Sequence, residues 1–114
     1  MDALTLRLVH HPPVSDLILT GDLDVISSPR LPSAVEAALL SGCRLLIVDT
    51  AELAFCDASG LRALLQAQRR VVDAGGSMRL AHVHGVLRRI LEITDLAVVF
   101  PTTLPHEAGP RIEA

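Results

Sequence analysis

The run Arg44-Leu45-Leu46-Ile47-Val48-Asp49, continued by Thr50-Ala51-Glu52-Leu53-Ala54-Phe55-Cys56 and then Asp57-Ala58-Ser59-Gly60-Leu61-Arg62-Ala63-Leu64-Leu65, decides the fold of this chain. Leu45 to Val48 is short, wholly apolar and closed by an acid, the pattern of a strand covered on both faces, as in a parallel sheet between helices. From Gly60 onward apolar residues recur at helical spacing. Between strand and helix the chain turns sharply at Asp57-Ala58-Ser59-Gly60. Ser59 therefore stands at or next to a helix N-terminus, where unpaired N–H groups and the positive end of the dipole favour negative charge. A hydroxyl there is open to a partner, and a phosphate added to it is well placed.

Working outward, Leu4 to Val9 alternates with period two and reads as a half-buried edge strand, broken by His11-Pro12-Pro13. Asp16 to Gly21 is a second strand, paired antiparallel with the first across the prolines. Gly21-Asp22-Leu23-Asp24 follows. The next helix has two candidate starts. Ser27-Ser28-Pro29 offers a polar cap and a proline in the first turn, whereas Ser33 with Glu36 offers a capping box. With either start, Val35, Leu39 and Leu40 are expected to face the core. In the helix expected over Gly60 to Ala74, Leu61, Leu64, Leu65, Val71 and Val72 form the apolar stripe, and Gly75-Gly76 ends it. Met78 to Ala81 is a short strand. Val86, Leu87, Ile90 and Leu91 mark a third helix, and Leu96 to Phe100 a last strand. Pro101 to Ala114 is polar and proline-interrupted, and is expected as a flexible tail of a single domain spanning 1–114. The alternation of strand and helix predicts an α/β fold with a mixed, mostly parallel sheet of four to five strands and three to four helices.

Composition narrows the function. The 114 residues suit one domain, long enough to bury roughly two thirds of its unfolded surface without a disulfide or metal. Half the residues are apolar but only Phe55 and Phe100 are aromatic, so the core must be aliphatic. A formal net charge of −3 argues against direct nucleic-acid binding. The first ten residues lack the pattern of a signal peptide, and no apolar run approaches the ~18 residues of a membrane helix, so a cytoplasmic protein without membrane insertion is expected. In that compartment Cys43 and Cys56 are expected to be reduced and to act as small hydrophobes.

Leu46 to Asp49, Leu53, Phe55 and Asp57-Ala58-Ser59-Gly60-Leu61 together resemble the signature of STAS domains, closest to bacterial anti-sigma-factor antagonists. Gly21 to Asp24 and the order of elements extend the resemblance over nearly the whole chain. The resemblance implies that Ser59 is the phosphoacceptor, and that the Asp22–Asp24 loop and the turn residues Asp57, Ala58, Gly60 and Leu61 meet the partner. That partner would be an anti-sigma factor that is also a serine-protein kinase, opposed by a phosphatase. At Ala58 the antagonists often carry a second serine, so Ser59 is the only hydroxyl between Asp57 and Leu61. The alternative within the family is a STAS scaffold subunit that works without phosphorylation, in a lipid-transport ATPase or a stress-signalling assembly.

Each candidate also has a plainer reading. Ser59 or Asp57 can be a helix cap and nothing more, and Asp22 and Asp24 can be solvated loop acids. Asp57 can equally contact the partner, position the Ser59 hydroxyl or meet the kinase's metal. If the three acids border Ser59, the binding face is acidic, and charge reversal at Asp24 is expected to weaken binding while sparing the fold. His82 and His84 flank Val83, but nothing supplies the remaining ligands of a metal site. Gly-x-Ser-x-Gly is absent, and without any Lys there is no phosphate-binding loop, so neither catalysis nor a cofactor is expected.

Overall fold

The computed structural model describes residues 4–96. Four strands form one sheet in the order β1-β2-β3-β4. β1 (Thr5–His11) and β2 (Val14–Leu23) are the antiparallel hairpin, in register from Thr5 against Thr20 to His11 against Val14, with Pro12 and Pro13 as the connection. β3 (Leu45–Cys56) runs parallel to β2 on one side and to β4 (Ser77–Ala81) on the other. Leu46, Ile47 and Val48 are all buried, as expected for a strand covered on both faces. β3 is longer than its apolar core, because Thr20 to Leu23 continue pairing with Glu52 to Cys56.

Three α-helices complete the described fold: α1 (Leu31–Leu40), α2 (Ala58–Asp73) and α3 (Gly85–Thr94). Neither expected cap starts α1. Ser28–Arg30 forms a single 3₁₀ turn, and α1 begins directly from it at Leu31. Pro32 thus lies in the first turn, where its missing N–H would have had no intrahelical partner. Glu36, the expected capping-box acid, instead accepts from the Arg70 guanidinium at 3.0 Å, tying α1 to α2. The pair is half exposed, and such surface pairs contribute about 0–1 kcal/mol.

The core is aliphatic, as composition requires. Leu17, Leu19 and Leu23 from β2, Leu46 and Val48 from β3, and Met78 and Leu80 from β4 pack with Val35, Leu61, Leu64, Val71, Leu87 and Leu91 from the helices. Among the described residues it contains no aromatic ring, since Phe55 is exposed. The helical stripes are narrower than expected. Leu40, Val72 and Val86 stand in solvent, and Leu39 and Leu65 are only partly covered. On α2, Ala63 and Ala67 are also buried, and with Pro32 and Val35 they line a crevice between α1 and α2. The expected strand Leu96 to Phe100 falls outside the described residues except for Leu96, and the expected tail falls outside them entirely.

Leu64 has no exposed surface, so Leu64→Ala is expected to cost ~2–5 kcal/mol. Urea denaturation measures this directly. An unchanged midpoint would show that α2 does not pack through this residue.

Candidate functional site

β2, β3 and β4 are parallel, so the segments leaving their C-terminal ends gather along one edge of the sheet. These are the loop after Leu23, the turn at Asp57 and the segment before Gly85. Open parallel sheets present their ligand-binding groups along this edge.

The turn is built around Asp57. Its backbone is extended, with φ −104° and ψ −170°, and its Oδ1 accepts the Gly60 N–H at 2.9 Å. Asp57 is therefore the helix cap, and α2 starts at Ala58, two residues before the expected Gly60. Ser59 occupies the second helical position and is not the cap. It is half-buried, beside the exposed Ala58. Among the described residues the Ser59 side chain makes no hydrogen bond, so its hydroxyl is not committed to the fold.

The loop after β2 is locked to this turn. A bulge between Gly21 and Asp22, where Gly21 adopts φ +103°, shifts the register so that Asp22 stands opposite Phe55 and Leu23 opposite Cys56. The Leu23 carbonyl then accepts the Asp57 N–H at 3.3 Å. Gly60 packs against the same carbonyl so closely that a Cβ there would lie 2.4 Å from the oxygen and 2.9 Å from Cys56 Sγ. Gly60 is required here for close approach, and its backbone conformation is an ordinary helical one.

Asp22 and Asp24 are both brought to the Ser59 turn, but they are used differently. Asp24 Oδ1 accepts from the backbone N–H groups of Ile26 and Ser27, each at 3.0 Å, and lies 3.2 Å from the Ser27 hydroxyl. Ser27 Oγ in turn accepts the Asp24 N–H at 2.9 Å and donates to the Asp22 carbonyl at 2.7 Å. The Ser27 N–H contact, with the other donors of the loop, holds the Asp24 carboxyl below the usual carboxylate range. Asp24 is thus a structural acid of its own loop. Charge reversal there would act on these loop bonds as well as on the acidity of the face. Ser27, part of the Ser27-Ser28-Pro29 run expected to start a helix, is the buried hub of this network.

The remaining candidates take structural roles. Cys43 and Cys56 are free thiols, both buried, and Cys56 packs beneath the Ser59 turn. Burial, reinforced by the neighbouring Asp57 charge, pushes the Cys56 thiol from 9.0 up to about 12. His84 Nε2 lies 3.0 Å from the carbonyls of both Thr50 and Ala51, so this nitrogen carries the proton and the ring braces the end of β3. Among the described residues no group of three or more His, Cys, Asp or Glu is arranged to hold a metal ion, and no helix is long and apolar enough to cross a membrane. Composition and periodicity did not single out Val25 and Ile26, which stand exposed at the loop tip beside the turn. Two consecutive apolar residues in a predicted loop were the available signal.

Residues 6–102 match the family described as Mlab, STAS domain. A relative from Paenibacillus polymyxa, an anti-sigma F factor antagonist, is 26% identical over 99 residues, covering 86% of this chain and 85% of its own. The crystal structure of an anti-sigma factor antagonist from Mycobacterium paratuberculosis superposes with a TM-score of 0.78 at 23% identity, covering 93% of this chain and 92% of its own. The phosphorylated form of the Bacillus cell fate determinant SpoIIAA superposes with a TM-score of 0.69 at 21% identity, over 96% of this chain and 99% of its own. At these identities the two structural likenesses speak to the fold alone.

Two outcomes are expected. Gly60→Ala gains roughly 0.8–1 kcal/mol of helix propensity but must push Leu23 away, and overpacking typically costs about 1–3 kcal/mol. The variant should therefore be less stable in urea; a raised midpoint would mean that the Leu23 contact yields freely. For Cys56, the raised folded pKa means that the native state holds the thiol proton more tightly than the unfolded chain. Its contribution is intact below pH 9.0 and is lost as pH rises toward about 12. A Cys56→Ala variant should show a shallower loss of stability across that window than the parent.

Proposed function

This chain belongs to the STAS domain family, and from that premise we propose that it is an anti-sigma-factor antagonist switched by phosphorylation of Ser59. Unphosphorylated, it binds an anti-sigma factor that is also its serine kinase, and so frees a sigma factor for transcription. Phosphorylation releases it and a phosphatase resets it, all in the cytoplasm. The protein is a substrate and binding partner with no catalysis of its own. Asp22, Asp57, Ala58, Gly60 and Leu61 form the partner surface with Ser59, while Asp24 shapes the loop. The kinship with the Paenibacillus antagonist supports this reading.

The observation that carries it is the division of labour at the turn. Asp57 caps α2, which leaves the half-buried Ser59 hydroxyl at the second helical position without a structural duty. A phosphate there brings ≈ −1.5 to −2 charges. The helix N-terminus can accept them with a gain of order 0.3–1 kcal/mol at an exposed site. Against the partner the same group needs room and adds charge beside Asp57, and like-charge juxtaposition in an interface costs several kcal/mol. With tenfold in affinity per ~1.4 kcal/mol, the interface loses more than the helix end gains. Phosphorylation therefore releases the partner and leaves the fold standing.

A second reading is favoured by one observation: the matching family description pairs STAS with Mlab and does not mention sigma-factor control. On that reading the chain is a scaffold subunit of a lipid-transport ATPase or stress-signalling assembly, and Ser59 is never phosphorylated.

Incubation with ATP and the anti-sigma kinase of the same cell decides between them. The parent is expected to incorporate phosphate, Ser59→Ala to incorporate none and bind persistently, and Ser59→Asp to bind at least tenfold more weakly. Labelling of Ser59→Ala equal to the parent would remove Ser59 as acceptor. Undiminished affinity of labelled protein would remove the switch and leave the scaffold reading.

A further inference from the structure

Among the described residues, seven large hydrophobic side chains stand exposed, and four of them lie along the edge that carries Ser59. Val25 and Ile26, 65% and 76% exposed, form the tip of the loop after β2. Phe55, 44% exposed, is next to last in β3 and stands in register with Asp22. Val86, also 44% exposed, opens α3 just after β4. Since β2, β3 and β4 are successive neighbours in the sheet, these side chains follow one another across its C-terminal edge. Phe55 and Val86 together line a crevice of ≈ 190 Å³ between β3 and the start of α3.

Resting on the function proposed above, we infer that this apolar row is the anchor of the interface, and that the anti-sigma partner meets it with an apolar surface rimmed by Arg or Lys. Two observations commit the row to such a partner. The acids beside it supply the complementary charge: Asp22 borders Phe55 across the strand pair, and Asp57 follows it by two residues. Asp24, the third acid, is turned into its own loop and contributes shape in place of a free charge. The tip is also held in place before binding. Ile26 donates its own N–H to Asp24, and Ser27 anchors the loop to Asp22, so little ordering remains to be done when the partner arrives. An apolar centre with a charged rim is the usual division in interfaces, where the centre sets the dissociation rate and the rim steers association. A phosphate on Ser59 would stand beside this row and keep it hydrated, so the row also accounts for the sensitivity of binding to a single modification.

The test measures association and dissociation of unphosphorylated protein with the kinase that labels Ser59, for the parent, Ile26→Ser, Val25→Ser with Val86→Ser, Asp22→Asn, and Leu40→Ser. Leu40 is 87% exposed at the end of α1, leading into β3 at the opposite edge, and serves as the control. All the altered apolar side chains are exposed, and far-UV circular dichroism and urea midpoints should match the parent. Ile26→Ser and the double variant are expected to weaken binding at least tenfold through faster dissociation. Asp22→Asn should chiefly slow association and flatten its salt dependence, and Leu40→Ser should change nothing. Apolar variants within twofold of the parent, or an equal loss in Leu40→Ser, would overturn the inference while leaving the switch intact. A light-scattering mass that halves in Ile26→Ser with unchanged partner affinity would reassign the row to a second copy of this chain, overturning it as well. Failure of the parent itself to bind or be labelled by any anti-sigma kinase would instead bring down the function proposed above, and this inference with it.

Discussion

The Leu23 carbonyl accepts the Asp57 N–H, and Gly60 packs against the same oxygen. This one group joins the end of β2 to the start of α2 and makes a single rigid unit of two segments more than thirty residues apart. Much of the local structure exists to permit the contact. The bulge at Gly21 brings Leu23 opposite Cys56, the absence of a Cβ at Gly60 lets the helix come in, and Cys56 fills the space beneath as a small neutral thiol. Burial that raises the Cys56 pKa is the electrostatic expression of the same packing: an anion there would have neither water nor a counter-charge.

The three acids around Ser59 illustrate how identical chemistry is divided by geometry. Asp57 gives its carboxylate to the Gly60 N–H and Asp24 to the N–H groups of its own loop, while Asp22 receives the Ser27 hydroxyl on its backbone carbonyl and leaves its carboxylate unbonded among the described residues. What reaches outward is less charged than the sequence of acids implies and more apolar, because the Asp24 turn pushes Val25 and Ile26 into solvent. Ser59 keeps its hydroxyl free because a neighbour performs the capping. A hydroxyl that also capped the helix would have to break that bond to engage anything else; here the helix end and the Ser59 hydroxyl are independent.

The order of elements, the buried central strand and the helix behind Ser59 were legible because each rests on local periodicity. A doubly covered strand must be apolar throughout, as Leu45 to Val48 are, and an amphipathic helix must repeat near 3.6, as Leu61, Leu64 and Val71 do. The resemblance to STAS domains, carried by the Asp57 to Leu61 turn and the Gly21 to Asp24 element, likewise depends only on residues in sequence, and the family assignment agrees with it.

What the chain order could not decide are outcomes of competition between distant groups. The Ser27-Ser28-Pro29 run and Ser33 both had the chemistry of a cap, yet Ser27 is claimed by Asp22 and Asp24, and Glu36 by Arg70, 34 residues away. Leu40, Val72 and Val86 had the hydrophobicity of core residues, but a sheet of finite width covers only part of each helix. The roles of Asp24 and Gly60 depend on the bulge that sets the register of β2 against β3. The sequence by itself determined the order of the described elements and that a serine follows the central strand at a helix N-terminus. Only the tertiary structure decided which polar group satisfies which, because a hydrogen bond is assigned by distance and orientation between segments, and local spacing carries neither.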